Sequence, residues 1–171
     1  MSFRIIHYEG TKESLLNRLK NTSDMLKNEY KEAYWGNYWQ ESVDKVAKGD
    51  FTDVEAAADV LAKTIDENFN PVSEDWKISI YDILTNKTTG VLKNYFEMFQ
   101  NGRNFSTGES GFGYEVTSGY LTPEEVKTVL NELKCYKPDQ EVEEEREFIE
   151  HLIHVFSSLA EKNSGDLFVM S

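Results

Sequence analysis

The run Gly119-Tyr120-Leu121-Thr122-Pro123-Glu124-Glu125-Val126 writes a helix start into this chain. Thr122 can cap the helix, Pro123 fits the first helical position where its missing N–H is not needed, and Glu125 can close a capping box. Beyond it, Val126, Val129, Leu130 and Leu133 recur at helical spacing, so one stripe must face a core while Lys127, Asn131 and Lys134 stay in water. That constrains architecture and says nothing of chemistry.

The other elements follow from similar signals. Phe3-Arg4-Ile5-Ile6-His7-Tyr8 is β-branched and aromatic and meets Gly10, which reads as a strand ending in a turn. Leu15, Leu16, Leu19 and Met25 or Leu26 mark an amphipathic helix from Thr11 toward Tyr30. Thr52-Asp53-Val54-Glu55 reads as a second capping box, followed by Ala57, Val60, Leu61 and Ile65 until Asn70-Pro71 stops the helix. Two periods compete between Trp76 and Leu84: Trp76, Ile78 and Ile80 alternate as in a strand, whereas Trp76, Ile80, Ile83 and Leu84 share a helical face. Val91, Leu92, Tyr95, Phe96 and Phe99 form another helical stripe, ended by Asn101-Gly102. Residues 101 to 119 are rich in glycine and read as an open connector with a short strand near Tyr114 to Val116. A helix from about Glu141 to Lys162 comes next, with Ile149, Leu152, Ile153, Phe156 and Ala160 buried and Glu141, Glu143 and Glu144 at the favoured positive end of its dipole. Asp166 to Met170 reads as a strand able to pair with the first.

With 171 residues, ten Phe, nine Tyr and three Trp, the chain can bury a core of ordinary size as one domain, 1–171, without a metal or disulfide staple. The 31 Asp and Glu outweigh 18 Lys and Arg, giving a net charge of −13. Such a field repels phosphate backbones and anionic headgroups, so nucleic acid and membrane surface are poor partners; it draws in a basic protein or a cation, although acidic domains more often carry such charge simply for solubility. Cys135 is the single cysteine, which fits a reducing cytoplasm, and its place at a helix end reads as packing. No secretory leader or membrane span is legible.

Gly111-Phe112-Gly113 followed by Tyr120-Leu121-Thr122-Pro123-Glu124-Glu125-Val126 resembles the "GYG…YLTPEEV" signature of the YfbM-like family of small uncharacterised bacterial proteins. The likeness extends thinly to the opening strand, to the long helix before a closing strand, and to Asp75-Trp76 with Asp82-Ile83-Leu84-Thr85. It departs where Tyr114 replaces the family's proline and where the glycine after Leu84-Thr85-Asn86 is delayed to Gly90; residues 28 to 73 have no counterpart. The resemblance implies an α+β fold with a small sheet and a helix over 74–85. It carries no catalytic residues across.

Three groups of residues are candidates for function. Tyr34-Trp35-Gly36-Asn37-Tyr38-Trp39 places Tyr34, Trp35, Tyr38 and Trp39 on one helical stripe flanked by Glu29, Glu32, Glu41 and Asp44, and Trp and Tyr are the side chains most used as interface anchors. Core packing is the more common role of such rings. The glycine loop lacks the Lys-Ser/Thr of a phosphate cradle, but Arg103, Tyr114 and Glu115 could line a pocket beneath it. Glu147, His151 and His154 share the outer face of the last helix, a spacing that can hold a divalent metal but here reads as a solvated polar face. No nucleophile with a neighbouring base stands out, so no catalytic residue, metal ligand or cofactor is assigned.

The expectation is therefore an α+β domain whose small antiparallel sheet includes the first and last strands under about five helices. Its function is expected to be that of a cytoplasmic binding module for a basic protein, an immunity-type inhibitor of a toxin being one concrete form. The alternative is a small-ligand protein or enzyme with its pocket under loop 101–119.

Overall fold

The computed structural model describes residues 3–29, 31, 36–113 and 115–171, the side chains of residues 36–38 aside. In chain order the elements are β1 (Arg4–Glu9), α1 (Lys12–Leu16), α2 (Leu19–Glu29), α3 (Gly36–Ala47), α4 (Val54–Asn68), β2 (Asn70–Pro71), β3 (Trp76–Lys77), α5 (Ile78–Lys87), α6 (Gly90–Asn101), β4 (Thr117–Leu121), α7 (Pro123–Cys135), α8 (Glu143–Glu161) and β5 (Asp166–Met170). The fold is α+β, as the patterning implies.

The sheet is antiparallel throughout, in the order β2-β1-β5-β4, with β3 also on β1. First and last strands do pair, with Ile5 opposite Met170 and His7 opposite Phe168. All five residues of β5 are buried. This explains why Leu167-Phe168-Val169-Met170 is a continuous apolar run rather than an alternating one: both faces of the sheet are covered. Ile5, Leu121, Phe168 and Met170 enter a core closed by α5 to α8. Tyr8, Tyr120, Leu167 and Val169 enter a second core closed by α1 to α4. Gly119 makes this possible beside Phe168, since a Cβ there would lie 2.3 Å from the ring.

Local physics accounts for most departures from the sequence reading. The helix expected from Thr11 to Tyr30 breaks at Asn17-Arg18, where Arg18 N–H donates to the Leu15 carbonyl, and two shorter helices deliver Leu15 and Leu19 to the core. With this break the helices outnumber the five expected. The second cap is Asp53, not Thr52: its carboxylate accepts from Ala56 N–H at 3.2 Å and from Ser42 Oγ at 2.6 Å, tying α3 to α4, while Thr52 turns back to Asp50. Each of the competing periods near Trp76 holds for part of the segment. Trp76-Lys77 pairs with Arg4-Ile5 as strand and the helix begins only at Ile78, so the helix that the family resemblance implies over 74–85 starts late. The short strand expected near Tyr114 to Val116 forms instead at Thr117–Leu121.

Candidate functional site

The glycine loop is fastened rather than open. Arg103 donates from Nε to the Gly108 carbonyl at 2.9 Å, from Nη1 to the Tyr120 carbonyl at 3.1 Å, and through a fork to Glu125 at 2.7 and 3.0 Å. Its guanidinium also lies 4.4 Å from the centre of the Tyr120 ring. Glu125 thereby serves two structures, since it also completes the capping box with Thr122. Burial would raise the Glu125 pKa, but Arg103 and the Thr122 contacts outweigh it and hold the carboxylate below its usual range. Beneath the loop, Phe105 and Phe112 are buried against Phe51 and Tyr120. Thus Arg103, a candidate pocket residue, holds the loop shut.

Glu115 is exposed. Together with Glu55, Ala58 and Asp59 of α4 and with Val116, it lines a cleft of about 240 Å³ beside the loop. None of these three carboxylates takes part in an ion pair among the described residues. Desolvation in the cleft, followed by the fields of Glu55 and Glu115, pushes the Asp59 pKa above its ordinary value. An uncompensated cluster of this kind attracts cationic side chains.

Of the aromatic group, Trp39 is half-buried and packs on the second core. Tyr34 and Trp35 lie outside the described residues, as do the Tyr38 side chain and Tyr114. Glu147, His151 and His154 do not form one solvated face. Glu147 and His154 are exposed, whereas His151 is half-buried, accepts from Glu74 N–H at 3.2 Å and lies 5.8 Å from the Trp76 ring. No group of metal-ligating side chains exists among the described residues. Cys135, expected to be buried packing, is exposed at the end of α7 and lines a separate cleft with Lys87 and Tyr136.

Two polar centres lie buried in the fold. Glu145 is fully buried at the start of α8, accepting from Lys87 Nζ at 2.5 Å, Tyr136 OH at 2.7 Å and Asp139 N–H at 3.2 Å. Burial works to raise its pKa, yet these donors together hold it low. In sequence it was one glutamate in a run of them, with no mark of its inward course. The other centre is His7, whose Nδ1 is 2.8 Å from Asp166 Oδ2 and whose Nε2 is 3.1 Å from Tyr81 OH. It is wholly buried within β1 as a hydrogen-bonded structural residue.

Comparison with known proteins gives no match, whether to a family model, a curated protein or a solved structure. No helix among the described residues is long and apolar enough to cross a membrane.

Proposed function

We propose that this protein is a cytoplasmic binding module that receives a lysine or arginine of a basic protein partner in the cleft between α4 and the turn before β4. One observation carries the reading: Glu55, Asp59 and Glu115 converge on a concave surface without a cation among the described residues to offset them. The net charge of −13 adds long-range attraction for such a partner and disfavours nucleic acid. An inhibitor of a toxin with a cationic cleft is the concrete form we favour, because matched charge and shape suffice for it. Trp39 and its neighbouring rings are proposed as apolar anchors. An exposed Cys135 thiol fits a reducing cytoplasm, and kinship with the YfbM-like proteins is proposed on the sequence signature alone.

The rival reading, a small-ligand pocket beneath loop 101–119, draws no support from the filled space under that loop. The test is capture of basic proteins from lysate at low and moderate salt, with wild type compared against the Glu55→Gln/Asp59→Asn/Glu115→Gln triple variant. Salt-sensitive capture that the variant loses supports the cleft. Equal capture by both proteins removes it.

A further inference from the structure

The His7 centre is a chain of three side chains from three elements: Asp166 on β5, His7 on β1 and Tyr81 on α5, all with no measurable exposure. Phe99, Phe156 and Phe168 close around the imidazole with ring centres 4.8, 5.7 and 6.2 Å away. Asp166 Oδ2 has its histidine, but Asp166 Oδ1 is buried with no hydrogen-bond partner among the described residues. A charged carboxylate in such a place has given up water on one of its two oxygens without gaining a donor there.

We propose that Asp166, His7 and Tyr81 form a proton-gated lock on the seam between β1 and β5, shut when Asp166 carries a proton and loosened as alkalinity removes it. With Asp166 neutral, its O–H donates to His7 Nδ1 and His7 Nε2–H donates to Tyr81, so the chain of bonds runs outward from β5 to α5 without net charge. Loss of the proton reverses it: Tyr81 O–H donates to Nε2, Nδ1–H donates to Asp166, and a full charge stays on the buried carboxylate. The seam is where that charge acts, because His7 and Asp166 belong to the two strands it joins.

The surroundings compensate that charge only in part. From α8 comes His151, which lies within the field of His7. On β1, Glu9 stands opposite Asp166 in the register, and its carboxylate is held by Lys162 at 2.9 Å. α5 contributes the Tyr81 hydroxyl, itself raised by burial and by Asp166. The groups packed on the imidazole from α6, α8 and β5 are the phenylalanine rings. Burial raises the Asp166 pKa, with His7 and the Tyr8 backbone only partly opposing it. A carboxyl raised on folding contributes stability at low pH that is lost as pH rises through its folded value.

The lock is tested by urea unfolding of wild type and Asp166→Asn between about pH 5 and about pH 9. The wild-type unfolding constant should climb more steeply with pH than that of the variant, by up to about tenfold per pH unit for one proton. Parallel slopes overturn the proposal. Should Asp166→Asn not fold, carboxyl carbon NMR of the wild type decides: titration of Asp166 above about 4 supports the lock, and titration at or below that value overturns it. Hydrogen exchange reads the seam directly. After correction for intrinsic base catalysis, exchange in Ile5–Glu9 and Asp166–Met170 should accelerate with pH, and a flat profile overturns the lock.

Discussion

Arg103 and Glu125 meet fork to fork, two hydrogen bonds of 2.7 and 3.0 Å joining the root of the glycine loop to the first turn of α7. Planar bidentate pairing of this kind is available to arginine and not to lysine. The pair therefore couples a loop conformation to a helix cap through one carboxylate.

Glu125→Ala should destabilise the fold by about 2 to 4 kcal/mol, since it removes the cap acceptor and strands a largely buried guanidinium. Because the Glu125 pKa is held below its unfolded value of 4.5, its stabilising effect is complete above that value and lost as pH falls toward the folded one. Urea unfolding of both proteins at neutral and acidic pH should show their difference shrinking in acid. A constant gap would mean that the cavity, and not the charge, carries the loss.

Lys87→Met leaves Glu145 buried with Tyr136 and the Asp139 N–H but without its cation. Stability at neutral pH is expected to fall. Glu145→Gln in the same background should recover part of it, because the uncompensated charge is then gone. A double-mutant cycle by thermal or urea unfolding measures the coupling, and additive losses would contradict it.

Gly119→Ala drives a methyl to within 2.3 Å of the Phe168 ring. Overpacking of this order costs about 1 to 3 kcal/mol. Phe168→Leu should be less harmful on the alanine background than on the wild type, since the smaller side chain vacates the contested volume. Melting temperatures of the four proteins settle the sign.

Gly102 has φ of +78° and holds the Phe112 carbonyl 2.2 Å from where a Cβ would sit. Gly102→Ala should therefore open the loop at a cost of more than about 2 kcal/mol and raise proteolytic sensitivity between Arg103 and Gly113. An intact, protease-resistant loop in that variant would refute the fastening described above.

Asp59→Asn removes one of three mutually repelling carboxylates. Its raised pKa means that ionisation costs stability as pH rises, so the variant should gain about 0.3 kcal/mol at neutral pH and low salt. The gain should vanish at high salt as screening removes the repulsion. A salt-independent gain points to helix propensity instead.

Much of the architecture was legible because it is written locally. Thr122, Pro123 and Glu125 sit within four residues and form the box they spell, with bonds of 2.9 and 3.2 Å. Asp166 to Met170 was legible as a strand able to pair with the first, and it does. Long-range polar contacts leave no such trace: His7 and Asp166 are 159 positions apart, and nothing in either neighbourhood names the other. Glu145 was hidden for a different reason, since carboxylates at a helix start are favoured whether they point inward or out. Cys135 was misplaced because a helix end lying near buried Leu133 need not share its face. Arg103 was read as a ligand group although its tightest partner, Glu125, had already been assigned to a cap.

The seam between β1 and β5 also bears on how the molecule comes into being. Among the described residues, β1 has only the two-residue strands β2 and β3 for company until β5, which arrives after nearly all the intervening chain. Closing so large a loop carries an entropic cost before any contact repays it, and non-local pairings of this kind slow folding. During synthesis the apolar side of the N-terminal strand must wait uncovered, and the nascent chain depends on its early helices to keep that strand from alien partners.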